Sequence, residues 1–130
     1  MAGRLVAESS NFNTAFQAFD QCIWTTSPAL ALIQLWGGLE RLFTTVRPRK
    51  TFQLATRISA YLARDETEQH ALITQIRELY DARSSCAHGS PSSDDDPLYA
   101  SYDLVKRVLT AMIEAEHVPS PAELEALGSV

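Results

Sequence analysis

Cysteine is scarce in this chain: Cys22 and Cys86 are far apart and form no CxxC pair. That excludes the disulfide framework on which small secreted domains depend, and it argues against a zinc site. Long apolar runs are also missing, so nothing approaches the length needed to cross a membrane, and no membrane association is expected. The opening stretch Met1–Glu8 has no apolar core of signal-peptide length, which makes the cytoplasm the expected compartment. Basic residues are outnumbered, 11 against 16 acidic ones, for a net charge of −5. Proteins that coat nucleic acid by bulk electrostatics are usually basic, so non-specific DNA binding is disfavoured. An enzyme that gathers a few cations into one pocket is not.

What the chain does have is an ordinary globular balance: 45% hydrophobic and 21% charged residues over 130 positions. That is enough to bury the core of one domain without covalent staples. Internal repeats and strand-like alternation are absent, and the apolar residues recur at helical spacing.

The pattern predicts a first helix from about Asn11 to Trp24, carrying Phe12, Ala15, Phe16, Phe19, Cys22 and Ile23, with Ser9 or Ser10 as its cap. Ser27-Pro28 opens a second, with the proline where its missing N–H costs least. Leu32, Leu35, Trp36, Leu39, Leu42, Phe43 and Val46 form its stripe, and Pro48 ends it. A shorter segment, Phe52 to Leu62, aligns Phe52, Ala55, Ile58 and Leu62. Asp65-Glu66 suit the start of the next helix, which carries Leu72, Ile76, Leu79 and Tyr80 to about Ala87, with Gly89 as its stop. Ser90 to Pro97 reads as a loop, and Leu98 to Glu116 as the last long helix. Ser120-Pro121-Ala122-Glu123 has the form of a capping box that opens a short tail helix. The fold class is all-α, an up-and-down bundle of four to five helices. The bundle spans residues 9–117 and the tail 118–130.

Ionisable residues on core stripes are the informative ones. Glu40 interrupts the face formed by Ile33, Trp36 and Phe43, and Arg83 does the same after Leu79 and Tyr80. Either charge buried alone would cost several kcal/mol, roughly, so the simplest arrangement pairs them across the bundle. The planar fork of a guanidinium suits a carboxylate. On spacing alone such a pair serves more often as an internal brace than as a catalytic device, and an arginine can also snorkel outward.

His88 follows Arg83 by five residues, just before Gly89, at the expected end of its helix. There the exposed carbonyls favour an imidazolium, and a proton-transfer group working near neutrality becomes available. A lone histidine at that position is otherwise a plain C-cap. His70 and His117 read as solvated, and Cys86 as a small packing residue. Gly37-Gly38 within a helix costs about 1 kcal/mol per glycine relative to alanine, which points to close approach by another helix, a ligand or a second subunit.

Two segments, Trp36-Gly37-Gly38-Leu39-Glu40-Arg41-Leu42-Phe43 and Leu79-Tyr80-Asp81-Ala82-Arg83-Ser84-Ser85-Cys86-Ala87-His88-Gly89, resemble the HEPN superfamily, in particular its Apea-like branch. The likeness runs from about Asn11 to His117 and rests on the Arg-x4-His motif together with the upstream Trp-x2-Leu-Glu. The resemblance implies a helical bundle that forms a symmetric homodimer. It also implies metal-independent endoribonuclease activity of the toxin–antitoxin, phage-defence or RNA-processing kind, with RNA and an antitoxin or other partner protein as partners and no cofactor. By that likeness Arg83 stabilises the charged phosphate, His88 moves protons and Glu40 orients Arg83. Ser84, Tyr80 and Trp36 lend support. Nuclease members often carry Asn, Asp or His where Ser84 stands. Ser90 occupies the position of the tyrosine that is nucleotidylated in one toxin subgroup. The alternative implied by the same likeness is a non-catalytic module that binds protein, RNA or a nucleotide.

Overall fold

A computed structural model describes residues 9–22, 24, 27–43, 50–87 and 96–127, the side chains of 50–53, 85–87 and 96 excepted. Among the described residues the chain is an all-α bundle of six helices: α1 (Ser10–Cys22), α2 (Pro28–Phe43), α3 (Lys50–Leu62), α4 (Glu66–Ala87), α5 (Asp96–Ala115) and α6 (Pro121–Leu127). No described helix is long and apolar enough to cross a membrane.

Local chemistry sets most of the boundaries. Ser9 is the cap of α1: its hydroxyl accepts the Phe12 N–H at 3.1 Å and its carbonyl the Asn13 N–H at 3.0 Å. Ser27 does the same for α2, accepting the Leu30 N–H at 3.3 Å, and leaves Pro28 in the first helical position. Asp65 caps α4 through the Glu68 N–H at 2.8 Å. The capping box of α6 is reciprocal, with Ser120 N–H donating to Glu123 Oε1 at 3.0 Å and Glu123 N–H to Ser120 Oγ at 3.3 Å.

Several ends differ from the sequence reading, and α3 begins at Lys50, two residues before Phe52. α1 stops at Cys22, and Trp24 lies in the turn beyond it, 79% exposed. α5 starts at Asp96, so Pro97 falls within its first turn, where no helical N–H is lost. α5 also ends one residue early, at Ala115. There Glu116 takes a left-handed φ of 52°, and the Glu116 and His117 amides return to the carbonyls of Ile113 and Met112. This is the Schellman closure, made with glutamate where glycine is usual. Ile23, Val46, Pro48, His88, Gly89 and the expected loop from Ser90 as far as residue 95 lie outside the described residues, as do the side chains of Phe52 and Cys86.

α2 is the central helix. Ala31, Leu32, Leu35, Trp36, Gly38, Leu39, Leu42 and Phe43 are all buried on it, and α1, α3, α4 and α5 pack around it. Gly38 shows why a glycine is tolerated there. A Cβ on it would sit 3.0 Å from Ala15 Cα and 3.3 Å from Ala15 Cβ, so α1 and α2 touch nearly backbone to backbone. Gly37 is different, because a Cβ there would meet nothing within 4 Å. The other walls of the core come from Leu54, Ala55 and Ile58 on α3, Leu72, Ile76 and Leu79 on α4, and Leu104, Val105, Val108, Leu109 and Met112 on α5. Leu124 brings α6 onto the same core against α3.

Candidate functional site

The two charged residues that break apolar stripes do meet. Arg83 Nη2 lies 3.8 Å from Glu40 Oε1, joining α4 to α2. That separation makes a Coulombic pair, longer than a hydrogen bond. Neither partner is fully sealed: the Glu40 side chain is 13% exposed and that of Arg83 24%. Both are deep enough to be shielded from bulk screening and open enough to reach an incoming group.

Tyr80 connects the pair to the core. Its hydroxyl donates to Glu40 Oε1 at 3.4 Å, and the guanidinium carbon of Arg83 lies 5.4 Å from its ring centroid. A tyrosine one turn before the arginine thus places a hydroxyl on the acid and a π-face beside the base, a cation–π contact worth about 0.5–1 kcal/mol. The Tyr80 ring stands at 89° to Trp36, with centroids 5.6 Å apart. Edge-to-face pairs of this kind add roughly 0.5–1.5 kcal/mol beyond burial. Trp36, fully buried, donates its indole N–H to Ser101 Oγ on α5 at 3.1 Å.

These contacts also give the helix directions. Trp36 meets Tyr80, and Glu40, one turn on, meets Arg83, so α2 and α4 run the same way. α4 then carries the chain to Ala87, and His88 lies outside the described residues. Ser84, adjacent to Arg83, is half-buried. The structure therefore brings Trp36, Glu40, Tyr80 and Arg83 into one cluster, with Ser84 next to it in the chain.

Arg83 has donor capacity to spare. Its Nε is buried and makes no hydrogen bond, while Nη2 faces Glu40. A guanidinium carries five N–H donors in a rigid fork, and an oxyanion such as a phosphate accepts two of them in parallel. The buried Nε is out of reach of an incoming anion, so any such contact would fall on the part of the side chain that is 24% exposed.

Three buried polar residues escaped the sequence reading: Arg57, Ser59 and Ser101. Arg57, on α3, is 6% exposed and donates from Nη1 to the Phe43 carbonyl at 2.7 Å, closing the C-terminus of α2. Its position between Leu54 and Ile58 on the buried face was the available signal. Ser101 gave none, since a serine inside an apolar stripe is common and small. His117, read as solvated, is exposed but pairs with Glu123, its Nε2 2.7 Å from Oε1. The Ser120 amide and then His117 hold the Glu123 carboxyl below its ordinary value. Burial, and then Glu123, raise the Tyr61 phenol. Burial likewise pushes the Cys22 thiol up, which suits packing rather than nucleophilic attack.

Compared with known proteins, the chain matches no protein-family model, no curated protein and no solved structure.

Proposed function

We propose that the chain is a metal-independent endoribonuclease of the HEPN type, acting as a toxin or defence effector. One observation carries the reading. Arg83 is braced by Glu40 and Tyr80 while its side chain stays 24% exposed, on the helix that leads in sequence to His88.

RNA brings its own nucleophile, a 2′-hydroxyl already held near the phosphorus, so the protein has to supply proton transfer and charge stabilisation. In the proposed mechanism His88 accepts the 2′-hydroxyl proton as that oxygen attacks. Arg83 neutralises the pentacoordinate phosphate through the exposed part of its side chain. The 5′-oxygen leaves with a proton, giving a 2′,3′-cyclic phosphate and a 5′-hydroxyl. Glu40 keeps the guanidinium oriented. A homodimer would bring a second imidazole to the same phosphate, so that one accepts and the other donates.

The test is purified protein incubated with RNA in EDTA. Wild type is expected to cut. His88→Ala is expected to abolish cutting at an unchanged melting temperature. Equal cutting by the variant defeats the reading.

A second reading is a non-catalytic helical module that binds protein, RNA or a nucleotide. It is favoured by the commitment of Arg83 to Glu40 and by the net charge of −5. In that case RNA stays intact, and Arg83→Ala weakens association instead.

A further inference from the structure

Three side chains are buried and polar or charged among the described residues: Arg57, Ser59 and Ser101. Arg57 closes the end of α2, and Ser59 donates to the Thr56 carbonyl of its own helix at 2.9 Å. Ser101 does something else. Fully buried on α5, its hydroxyl oxygen accepts the indole N–H of Trp36 on α2 at 3.1 Å. Trp36 in turn meets Tyr80 edge-on, and Tyr80 touches both Glu40 and Arg83.

We propose that Ser101 is the remote positioning residue of the Arg83 site, acting through Trp36 and Tyr80. The inference rests on the reading of Arg83 as the phosphate-binding group. An indole filling a helix interface can rotate about two side-chain bonds. One directional hydrogen bond to a fixed acceptor selects a single orientation. That orientation decides whether the ring edge or face meets Tyr80, because aromatic pairs depend on geometry. The Tyr80 ring lies beside the guanidinium, and its hydroxyl fixes the carboxylate that faces Nη2. Removing the Ser101 hydroxyl strands a buried N–H, and the indole turns to find another acceptor. Tyr80 then loses its edge contact, and Arg83 loses the platform that holds its fork.

Glu40 alone cannot perform this task. At 3.8 Å the ion pair attracts Arg83 without fixing its plane. The group beside the guanidinium is the tyrosine ring, 5.4 Å from its centroid, and through it the serine on α5 is proposed to control a cation on α4 that it does not touch.

The experiment compares Ser101→Ala and Ser101→Cys with wild type by nitrogen-15 NMR, by thermal melt and by RNA cleavage. The chain has two tryptophans, and Trp24 is 79% exposed, so the buried indole resonance of Trp36 is readily distinguished. Ser101→Ala is expected to shift or broaden the Arg83 Nε–H resonance and to lower kcat about tenfold with KM unchanged, the signature of misplacement. Ser101→Cys, which keeps a weak acceptor of similar size, is expected to restore part of both. It also provides the reading should the alanine variant not fold. A change confined to the Trp36 indole signal and the melting temperature, with the Arg83 resonance and kcat unmoved, overturns the proposal. If wild type cuts no RNA, the nuclease reading fails, and the Arg83 resonance still decides the positioning claim.

Discussion

Arg83 Nη2 faces Glu40 Oε1 at 3.8 Å, while Nε of the same guanidinium is buried with no hydrogen bond. The residue is paired at Nη2 and carries a buried, unsatisfied N–H beside it on the same edge. Arg83→Ala leaves Glu40 with the Tyr80 hydroxyl and a route to water through its remaining 13% exposure. The expected loss is therefore about 1–3 kcal/mol, below the roughly 3–5 kcal/mol of a fully sealed pair. A thermal melt should fall by roughly 4 °C for each kcal/mol lost. An unchanged melt would show that the pair contributes nothing to the fold.

Neighbouring glycines on α2 should respond in opposite directions. Gly38→Ala forces a Cβ to 3.0 Å from the Ala15 backbone, and α1 has to move; a loss of about 1–3 kcal/mol is expected. Gly37→Ala meets nothing, so the helical preference for alanine dominates and a gain of about 0.5–1 kcal/mol is expected. Chemical denaturation of both variants checks the pair. A destabilising Gly37→Ala at high protein concentration would instead reveal a second molecule seated on that face.

Arg57→Met keeps the aliphatic stem but removes the donor that closes α2 at the Phe43 carbonyl. Stranding that carbonyl in a buried setting is expected to cost about 1–3 kcal/mol. The loss should appear as faster amide exchange in the last turn of α2, with α6 unaffected. Uniform exchange throughout the bundle would contradict the local account.

Acid should loosen α6 first. Glu123 titrates below its ordinary value of 4.5 because the Ser120 amide and His117 favour the charged form. A depressed carboxyl contributes stability that is present above its unfolded pKa and is lost as pH falls through its folded one. Amide exchange at Leu124–Leu127, corrected for intrinsic rates, is expected to accelerate below about pH 4.5 ahead of the rest of the bundle. Glu123→Gln should remove that difference. If acid opens α2 and α6 together, the cap-to-cap pair has no local role.

Much of the fold was legible because one rule repeated. Apolar residues at helical spacing marked every long helix, and Ser9, Ser27, Asp65 and Ser120 marked starts that the hydrogen bonds place where the side chains suggested. Ends were harder. α5 closes on a left-handed glutamate, a conformation that its side chain does not advertise. In the candidate site, Glu40 and Arg83 stood out because charges on apolar stripes need partners, and they found each other. Ser101 did not stand out, because its importance comes from an indole on another helix, a long-range contact that no local pattern encodes. His117 is exposed as read, but its partner Glu123 lies across a cap-to-cap turn, not on the same helical face, and no local pattern pointed to it.

The most direct measurement of the account is the chemistry of the RNA ends produced in EDTA. Wild type is expected to leave 2′,3′-cyclic phosphate and 5′-hydroxyl termini, with neither formed by His88→Ala and far fewer by Arg83→Ala. Ends bearing 3′-hydroxyl and 5′-phosphate, or cutting that needs an added divalent ion, would contradict it.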